Sequence, residues 1–205
     1  LSIGEMDVLS YGQAAKIFYN SMSVPMMIQP KYGDNKEYIV SDSARIYTEY
    51  WKASYASGVV NGNAKTELST DNVTEKNNVL IDDKLYKIGS TNADTLLGYK
   101  TEYWYTEDNT LLYIQKLEEN SEMKINAADS ADTERNRLSF YNEKGNKKTV
   151  NFADGVDVIY NDRALFNYTA GDLKPQNGFA EIFDNNGVGL YEVIKIYEYT
   201  NYYIL

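Results

Sequence analysis

The chain contains no cysteine and no histidine, and only 3 of its 205 residues are proline. Without cysteine it has no disulfide framework, no thiolate nucleophile and no ordinary structural zinc or iron–sulfur site. Without histidine it has no Ser-His-Asp triad, no imidazole base and no two-histidine metal site. The residues alone thus indicate no reaction, and we predict a non-enzymatic protein with no catalytic, cofactor-binding or metal-binding residues.

The charge balance and the hydropathy exclude two further classes. The chain has 20 basic and 30 acidic side chains, a formal net charge of -10, so it lacks the clustered positive charge of a nucleic-acid-binding protein. No apolar run reaches the length of about 18 residues that a membrane span requires. A hydrophobic content of 43% nevertheless favours packed cores over disorder.

The composition and the first residue bear on localisation. An acidic, cysteine-free chain rich in Asn, Tyr and Thr is typical of an extracellular bacterial surface protein, with an acidic cytosolic domain as the alternative. The chain starts at Leu1 without a basic segment followed by an apolar one, so we interpret it as a processed or excised piece.

A helix is predicted over residues 9–21. Ser10 is placed to cap its N-terminus, and Gln13 stands three residues later, which is the spacing of a capping box. The apolar residues of this helix form one stripe: Ala14, Ile17, Phe18 and Met22. We expect that stripe to pack on the rest of the chain or on a preceding portion. A charged linker (31–37) and a short second helix (44–54) follow.

From residue 58 onward the period changes to two, which predicts strands. They are expected at 59–68, 79–88, 99–106, 111–117, 123–127, 138–141, 148–152, 156–160, 179–183 and 191–199, with a helical turn at 92–97. The polar stretch 129–137 predicts a domain boundary. The predicted fold class is mainly β, with short N-terminal helices (1–30) followed by two small antiparallel barrel-like or sandwich-like modules (31–130 and 131–205).

Two segments of the chain resemble each other. Residues 78–88 (NVLIDDKLYKI) and 157–167 (DVIYNDRALFN) both predict a hairpin, and each is followed by a helix-prone stretch and two further strands. This pattern is compatible with an internal duplication or with convergent turn chemistry.

Two kinds of acidic segment could form a calcium or catalytic site. The loop Asp184-Asn-Asn-Gly-Val-Gly189 has oxygen ligands at the first and third positions of a calcium loop, but Val188 stands at the fifth, so a tight turn is favoured. The acid pairs 82–83, 107–108 and 118–119 lie at predicted turns, where solvated carboxylates are ordinary. If the chain were a glycosidase, Glu102 and Glu107 would be the best candidates.

Aromatic residues are abundant, with 20 tyrosines. Tyr103, Trp104 and Tyr105 alternate along a strand and cannot share one face, so core and protein–protein contacts are favoured over a sugar-stacking platform. Trp51 and Trp104 are the candidates if the chain does bind carbohydrate. The run 194–205 (IKIYEYTNYYIL) is strongly β-prone, and at a sheet edge it would pair with a neighbouring chain.

Several motifs together resemble a known family. Residues 7–25 (DVLSYGQAAKIFYNSMSVP) are similar to the closing helix of an S-layer homology (SLH) domain. The segments around 47–50, 58–68, 97–99, 111–114, 174–178 and 184–191 resemble the region that follows the last SLH repeat in clostridial surface-layer proteins.

The resemblance implies a cell-surface structural protein. An SLH domain would imply binding of cell-wall polysaccharide through an arginine, but Tyr11 stands at that position, so a segment beyond the wall anchor is implied instead. The expected partner is a second copy of the chain, in a lattice or filament, with wall polysaccharide bound only through an SLH region outside this chain. The alternative is a carbohydrate-binding or accessory module of a secreted, wall-associated enzyme.

Overall fold

The computed structural model describes residues 8–31, 33 and 37–200. It confirms the mainly-β fold class: 47% of the residues lie in strands and 15% in helices. The chain forms two compact units, Leu1–Ser54 with Tyr105–Asp108, and Tyr55–Trp104 with Asn109–Leu205. Among the described helices, none is both long and apolar enough to cross a bilayer.

The first unit contains two helices and a two-stranded sheet. Their bounds are α1 Tyr11–Met22, β1 Met27–Lys31, β2 Glu37–Val40 and α2 Ile46–Tyr50. The predicted capping box is confirmed, because the Ser10 hydroxyl accepts the Gln13 N–H and the Gln13 side chain accepts the Ser10 N–H. Lys31 and Glu37, the ends of the predicted linker, belong to the antiparallel pair of β1 with β2, and most of the residues between them lie outside the described part of the chain. The second helix is shorter than predicted.

A five-stranded sheet follows in the order β5-β4-β3-β6-β7. Its strands are β3 Ser54–Gly62, β4 Asn78–Ile81, β5 Lys84–Lys87, β6 Lys100–Tyr105 and β7 Leu111–Lys116. Asp82 and Asp83 both have positive φ (47° and 62°), the conformation of a tight two-residue hairpin turn, so the predicted hairpin between β4 and β5 is confirmed. The predicted helical turn is a 3₁₀ helix, Ala93–Leu96.

A seven-stranded sheet has the order β8-β13-β14-β11-β10-β9, with β12 beside β11. Its strands are β8 Ser121–Asn126, β9 Ser130–Glu134, β10 Arg137–Tyr141, β11 Lys147–Tyr160, β12 Arg163–Ala164, β13 Gly178–Asp184 and β14 Leu190–Glu198. The strand pairs are antiparallel except β11 with β14, which are parallel. Two predicted strands, 148–152 and 156–160, are one long strand, β11.

Two apolar clusters stabilise these sheets. The larger lies within the seven-stranded sheet and includes Ile125, Leu138, Ile182, Ile194 and Ile196, each at most 1% exposed. The smaller consists of six buried residues: Leu68, Leu97, Tyr99, Ile159, Phe183 and Val193. The first three lie in loops that flank the five-stranded sheet and the last three in the seven-stranded sheet, so this cluster packs those loops against the larger sheet.

The structure divides the chain differently from the predicted boundaries at 30/31 and 130/131. Strand β8 pairs with β13, so a strand from the predicted first module lies in the sheet of the second. The polar stretch 129–137 contains strand β9, an edge strand with no fully buried residue. A polar edge strand shows no apolar alternation, which is why its sequence resembles a linker.

Candidate functional site

The described part of the first unit has almost no buried core. Among the described residues 8–54, the buried side chains are those of Ser41, Ala44 and Ala53, all of them small. Neither α1 nor α2 has a buried residue. Within the apolar stripe predicted for α1, Phe18 is 72% and Ile17 37% exposed, whereas Ala14 and Met22 are partly buried.

The two-stranded sheet of this unit is also apolar and exposed. All four residues of β2 are exposed, and three of them are large and apolar: Tyr38 (55%), Ile39 (43%) and Val40 (62%). Each strand of a two-stranded sheet leaves one edge without a strand partner among the described residues. We call β2 with the exposed apolar residues Phe18 and Met27 the N-terminal apolar surface. Such surfaces on a folded chain mark interaction sites.

A groove in the second unit runs beside strand β8. Three four-residue segments line it: 123–126 of β8, 140–143 at the end of β10, and 148–151 of β11, with Asp129, Gly189 and Tyr191 completing the wall. Its volume is about 640 Å³, within the range of ordinary ligand pockets. We call it the β8 groove.

The β8 groove combines an apolar floor with charged lining residues. Ile125 and Val150 are buried at its base, and Met123 and Phe140 pack partly buried against the same core. The residues that line the groove include two lysines and two acids, whose formal charges cancel: Lys124, Lys148, Asp129 and Glu143. This balance is local, because the chain as a whole is strongly acidic.

The loop 184–189 is a turn held by one carboxylate. Asp184 is 3% exposed; its Oδ1 accepts the N–H groups of Asn186 (3.1 Å) and Gly187 (2.7 Å), and its Oδ2 accepts that of Gly189 (2.7 Å). Both carboxylate oxygens are thus used by the backbone of the loop itself, as in an Asx turn. The tight turn favoured from the sequence is the geometry that the structure has.

Asn185 in this loop connects the two sheets, a role that the sequence did not indicate. Its Oδ1 accepts the Lys100 N–H (3.0 Å) and its Nδ2 donates to the Gly98 carbonyl (2.9 Å). Asn185 is 6% exposed, so both bonds are shielded from water. An asparagine in a turn is unremarkable in sequence, and its partners lie far away along the chain.

A second polar contact joins the sheets at Tyr99. Its hydroxyl donates to Glu122 Oε2 (2.5 Å), which also accepts from Lys116 Nζ (2.9 Å). These two bonds, led by that from Tyr99, lower the pKa of Glu122, whereas burial and the bond to Glu122 raise the pKa of Tyr99. Lys195 lies 4.9 Å from the Phe183 ring centre, and burial lowers its pKa to about 8.

The acid pairs considered as catalytic candidates are engaged in local structure. Asp82 Oδ1 accepts the Val59 N–H (2.9 Å) and Asp83 Oδ1 accepts from Asn61 Nδ2 (2.6 Å). Asp108 accepts from the Thr106 hydroxyl. Glu119 forms an ion pair with Lys100 (2.9 Å). These acids therefore stabilise turns and strand ends.

The proposed glycosidase candidate Glu102 is also bound: it accepts from the Tyr55 hydroxyl (3.0 Å) and from the Gln115 amide. Glu107 is exposed at the turn after β6. No cluster of three or more His, Cys, Asp or Glu suited to a metal ion occurs within the described residues.

The aromatic residues of β6 serve the core. Tyr103 and Trp104 are each 3% exposed; Tyr103 packs edge-on against Tyr86 at 5.2 Å, and Trp104 packs on Tyr55 at 4.9 Å. Burial removes Trp104 as a sugar-stacking surface, while Trp51 is 53% exposed. Two consecutive buried residues interrupt simple alternation, because both faces of this strand are covered.

The strand predicted at 191–199 is confirmed, and it does not lie at the sheet edge that pairing with a neighbouring chain would require. Residues up to Glu198 belong to β14, which lies between β13 and β11 in the middle of the sheet. Its apolar residues are consequently core residues, with Ile194 and Ile196 almost fully buried. Residues 201–205 lie outside the described part of the chain.

Comparison of the chain with protein-family models, with curated proteins and with solved structures finds no match. The resemblance to surface-layer proteins therefore stays a prediction.

Proposed function

We propose that this chain is a non-enzymatic structural protein of a bacterial cell surface that acts by self-assembly, as a subunit of an S-layer-like lattice or a filament. The observation that carries the proposal is the N-terminal apolar surface. Residues 8–54 hold two helices and two strands, yet bury only three small side chains within the described region. A folded segment of this kind gains stability when a partner covers it.

A second copy of the chain is the partner that we propose. The first 54 residues contain five basic and six acidic side chains, a net charge of -1, whereas the remaining residues carry -9. The nearly neutral segment is thus the part of the molecule that can approach an acidic copy with the least repulsion. Exposed strand edges in the same segment offer backbone groups for pairing.

The non-enzymatic part of the proposal is supported by the acids. In each of the three acid pairs, at least one carboxylate forms a hydrogen bond or an ion pair at a turn or a strand end. The Asp184 carboxylate accepts hydrogen bonds from three backbone N–H groups. A catalytic carboxylate must instead be free to face a substrate. We propose further that the protein is located at the cell wall and that an SLH region outside this chain attaches it there.

The test replaces one exposed valine. Val40→Ser on β2 should weaken self-association by about tenfold, since a buried apolar contact of about 1–2 kcal/mol is lost on assembly while the monomer loses little. Val73→Ser is the matched control, because Val73 is similarly exposed (59% against 62%) but lies in the loop between β3 and β4 of the second unit, and it does not line the β8 groove. Sedimentation velocity over a concentration series measures both variants.

Dispersed monomers of the unmodified chain at every concentration and salt condition would overturn the proposal. So would unchanged association in Val40→Ser, because association would then not depend on the N-terminal apolar surface.

A further inference from the structure

The β8 groove lies against an open strand edge. Strand β8 pairs with β13 along one side, and among the described residues no strand pairs with it along the other. Four consecutive β8 residues, 123–126, line the groove. A groove that follows consecutive residues of an edge strand presents their backbone to an incoming chain, as in recognition by strand addition.

The dimensions and chemistry of the groove suit an extended segment. Its three lining segments are each four residues long, so it accommodates about 13 Å of extended chain. Its floor is apolar at Met123, Ile125, Phe140 and Val150, and alternate residues of a strand laid on it would face that floor.

Strand β2 has the properties that this groove requires. It is four residues long and fully exposed. Tyr38 and Val40 alternate onto one of its faces and Ile39 onto the other. It leaves one edge open within the described region. The segment that contains it carries almost no net charge, and the charges of the residues that line the groove cancel.

We propose that β2 of one copy adds to the free edge of β8 in the next copy, with Tyr38 and Val40 over the apolar floor of the β8 groove. This inference rests on the proposed self-assembly and names the surfaces that perform it. The contact is heterologous, because the donor and acceptor are different surfaces of the same chain. Repetition therefore generates an open filament unless the rotation between copies closes a ring.

The absence of cysteine makes the test direct. If Tyr38 and Val40 face the floor together with Met123 and Ile125, then Ile39 and Lys124 share the outer face of the joined sheet. Single-cysteine variants I39C and K124C are therefore mixed, one of them isotope-labelled, and oxidised. Mass spectrometry then measures the 39–124 disulfide between copies, which forms where the Cα atoms approach within about 7 Å.

The matched control mixes I39C with L85C. Leu85 is 50% exposed on β5, the edge strand of the other sheet, and does not line the β8 groove. We expect the 39–124 disulfide to exceed the 39–85 disulfide by at least about tenfold, because docking raises the local concentration of the paired thiols.

A second variant tests the groove without cysteine. Tyr141 lines it and is 48% exposed, so Tyr141→Glu should fold and weaken self-association about tenfold by placing a charge against the incoming strand. Tyr160→Glu on β11, at 38% exposure and away from the groove, should leave association unchanged.

The outcomes separate this inference from the proposed function. Oligomers that cross-link only between two copies of I39C would overturn docking in the groove while self-assembly stands. Monomers that form no disulfide would overturn both. Monomers that bind soluble wall oligosaccharides, and lose that binding in Tyr141→Ala, would assign the groove to carbohydrate.

Discussion

Burial in the folded chain raises the pKa of the Asp157 carboxyl group. It lies on β11 in a cleft beside Leu68 and Val193, and burial raises its pKa from 3.8 to about 6. The folded chain thus holds this proton more tightly than the unfolded chain does. Its contribution to stability is fully present below about pH 4 and is lost as the pH rises through 6.

We therefore predict that Asp157→Asn stabilises the fold near neutral pH. The gain in the free energy of unfolding should be about 1–2 kcal/mol at pH 7.5 and should disappear towards pH 4, where Asp157 is already neutral. Urea denaturation at the two pH values measures it. Asp154→Asn, at an exposed position on the same strand, is the control. An equal gain at both pH values would contradict the assignment to ionisation.

The neighbouring pair Asn185 and Asn186 shows how two identical residues acquire different roles. Asn185 is 6% exposed and joins Lys100 and Gly98 of the other sheet region, whereas Asn186 is exposed and bonds within its own loop and to Glu192. Nothing in the local sequence distinguishes them. Their difference arises from which side of the turn faces the second sheet.

At the scale of elements, the loop 184–189 should therefore control the docking of the sheets. Asn185→Ala removes two buried hydrogen bonds and leaves a backbone N–H and a C=O without partners, so we expect a loss of about 2–4 kcal/mol. Asn186→Ala should cost about 1 kcal/mol or less. Thermal and urea unfolding compare the two variants. Equal losses would mean that Asn185 does not join the sheets.

Most elements of this fold could be predicted from sequence because their signals are local. The Ser10–Gln13 capping box and the Asp82–Asp83 turn are each specified within a few residues. Strand β9 was missed because its side chains are polar and mostly exposed. The central position of β14 in its sheet could not be predicted, because a strand rich in apolar residues has the same sequence pattern at the edge and in the centre of a sheet.

The similar segments 78–88 and 157–167 illustrate the same limit. Both form hairpins whose turn residues have positive φ, and each is followed by a 3₁₀ helix and two strands, as predicted. Their sheets nevertheless differ: β3 lies between β4 and β6, whereas β11 pairs directly with β14. The local sequence thus predicts the hairpins, while strand neighbours depend on contacts that are distant along the chain.

The N-terminal apolar surface could be predicted in part from the sequence, whereas the β8 groove could not. The apolar stripe of α1 and the need to cover it follow from helical periodicity alone. The β8 groove could not be predicted, because its three walls come from strands whose proximity depends on the pairing of β8 with β13 and of β10 with β11.

For the whole molecule, the distribution of charge predicts how assembly responds to salt. A chain with a net charge of -10 repels its copies at low ionic strength, and the residues after the first 54 carry nearly all of that charge. Screening should therefore strengthen an association driven by apolar contacts. We expect the apparent dissociation constant to fall about tenfold between roughly 20 mM and 300 mM NaCl.

Sedimentation equilibrium across that salt series measures the change, with Val40→Ser as the variant that should associate weakly throughout. Weaker association at higher salt would contradict an apolar contact and would indicate ion pairing between copies instead.

The parallel pairing of β11 with β14 also has a consequence for biosynthesis. Strand β14 is the last described strand, yet it lies between β13 and β11 and supplies Ile194 and Ile196 to the main core. In the sheet, β8 is connected to β11 only through β13 and β14. During translation, β8 to β12 therefore leave the ribosome before β14 has been synthesised. Such non-local pairing slows folding and leaves apolar surface open meanwhile. A nascent chain arrested before residue 190 should thus depend on a chaperone, whereas the released chain should not.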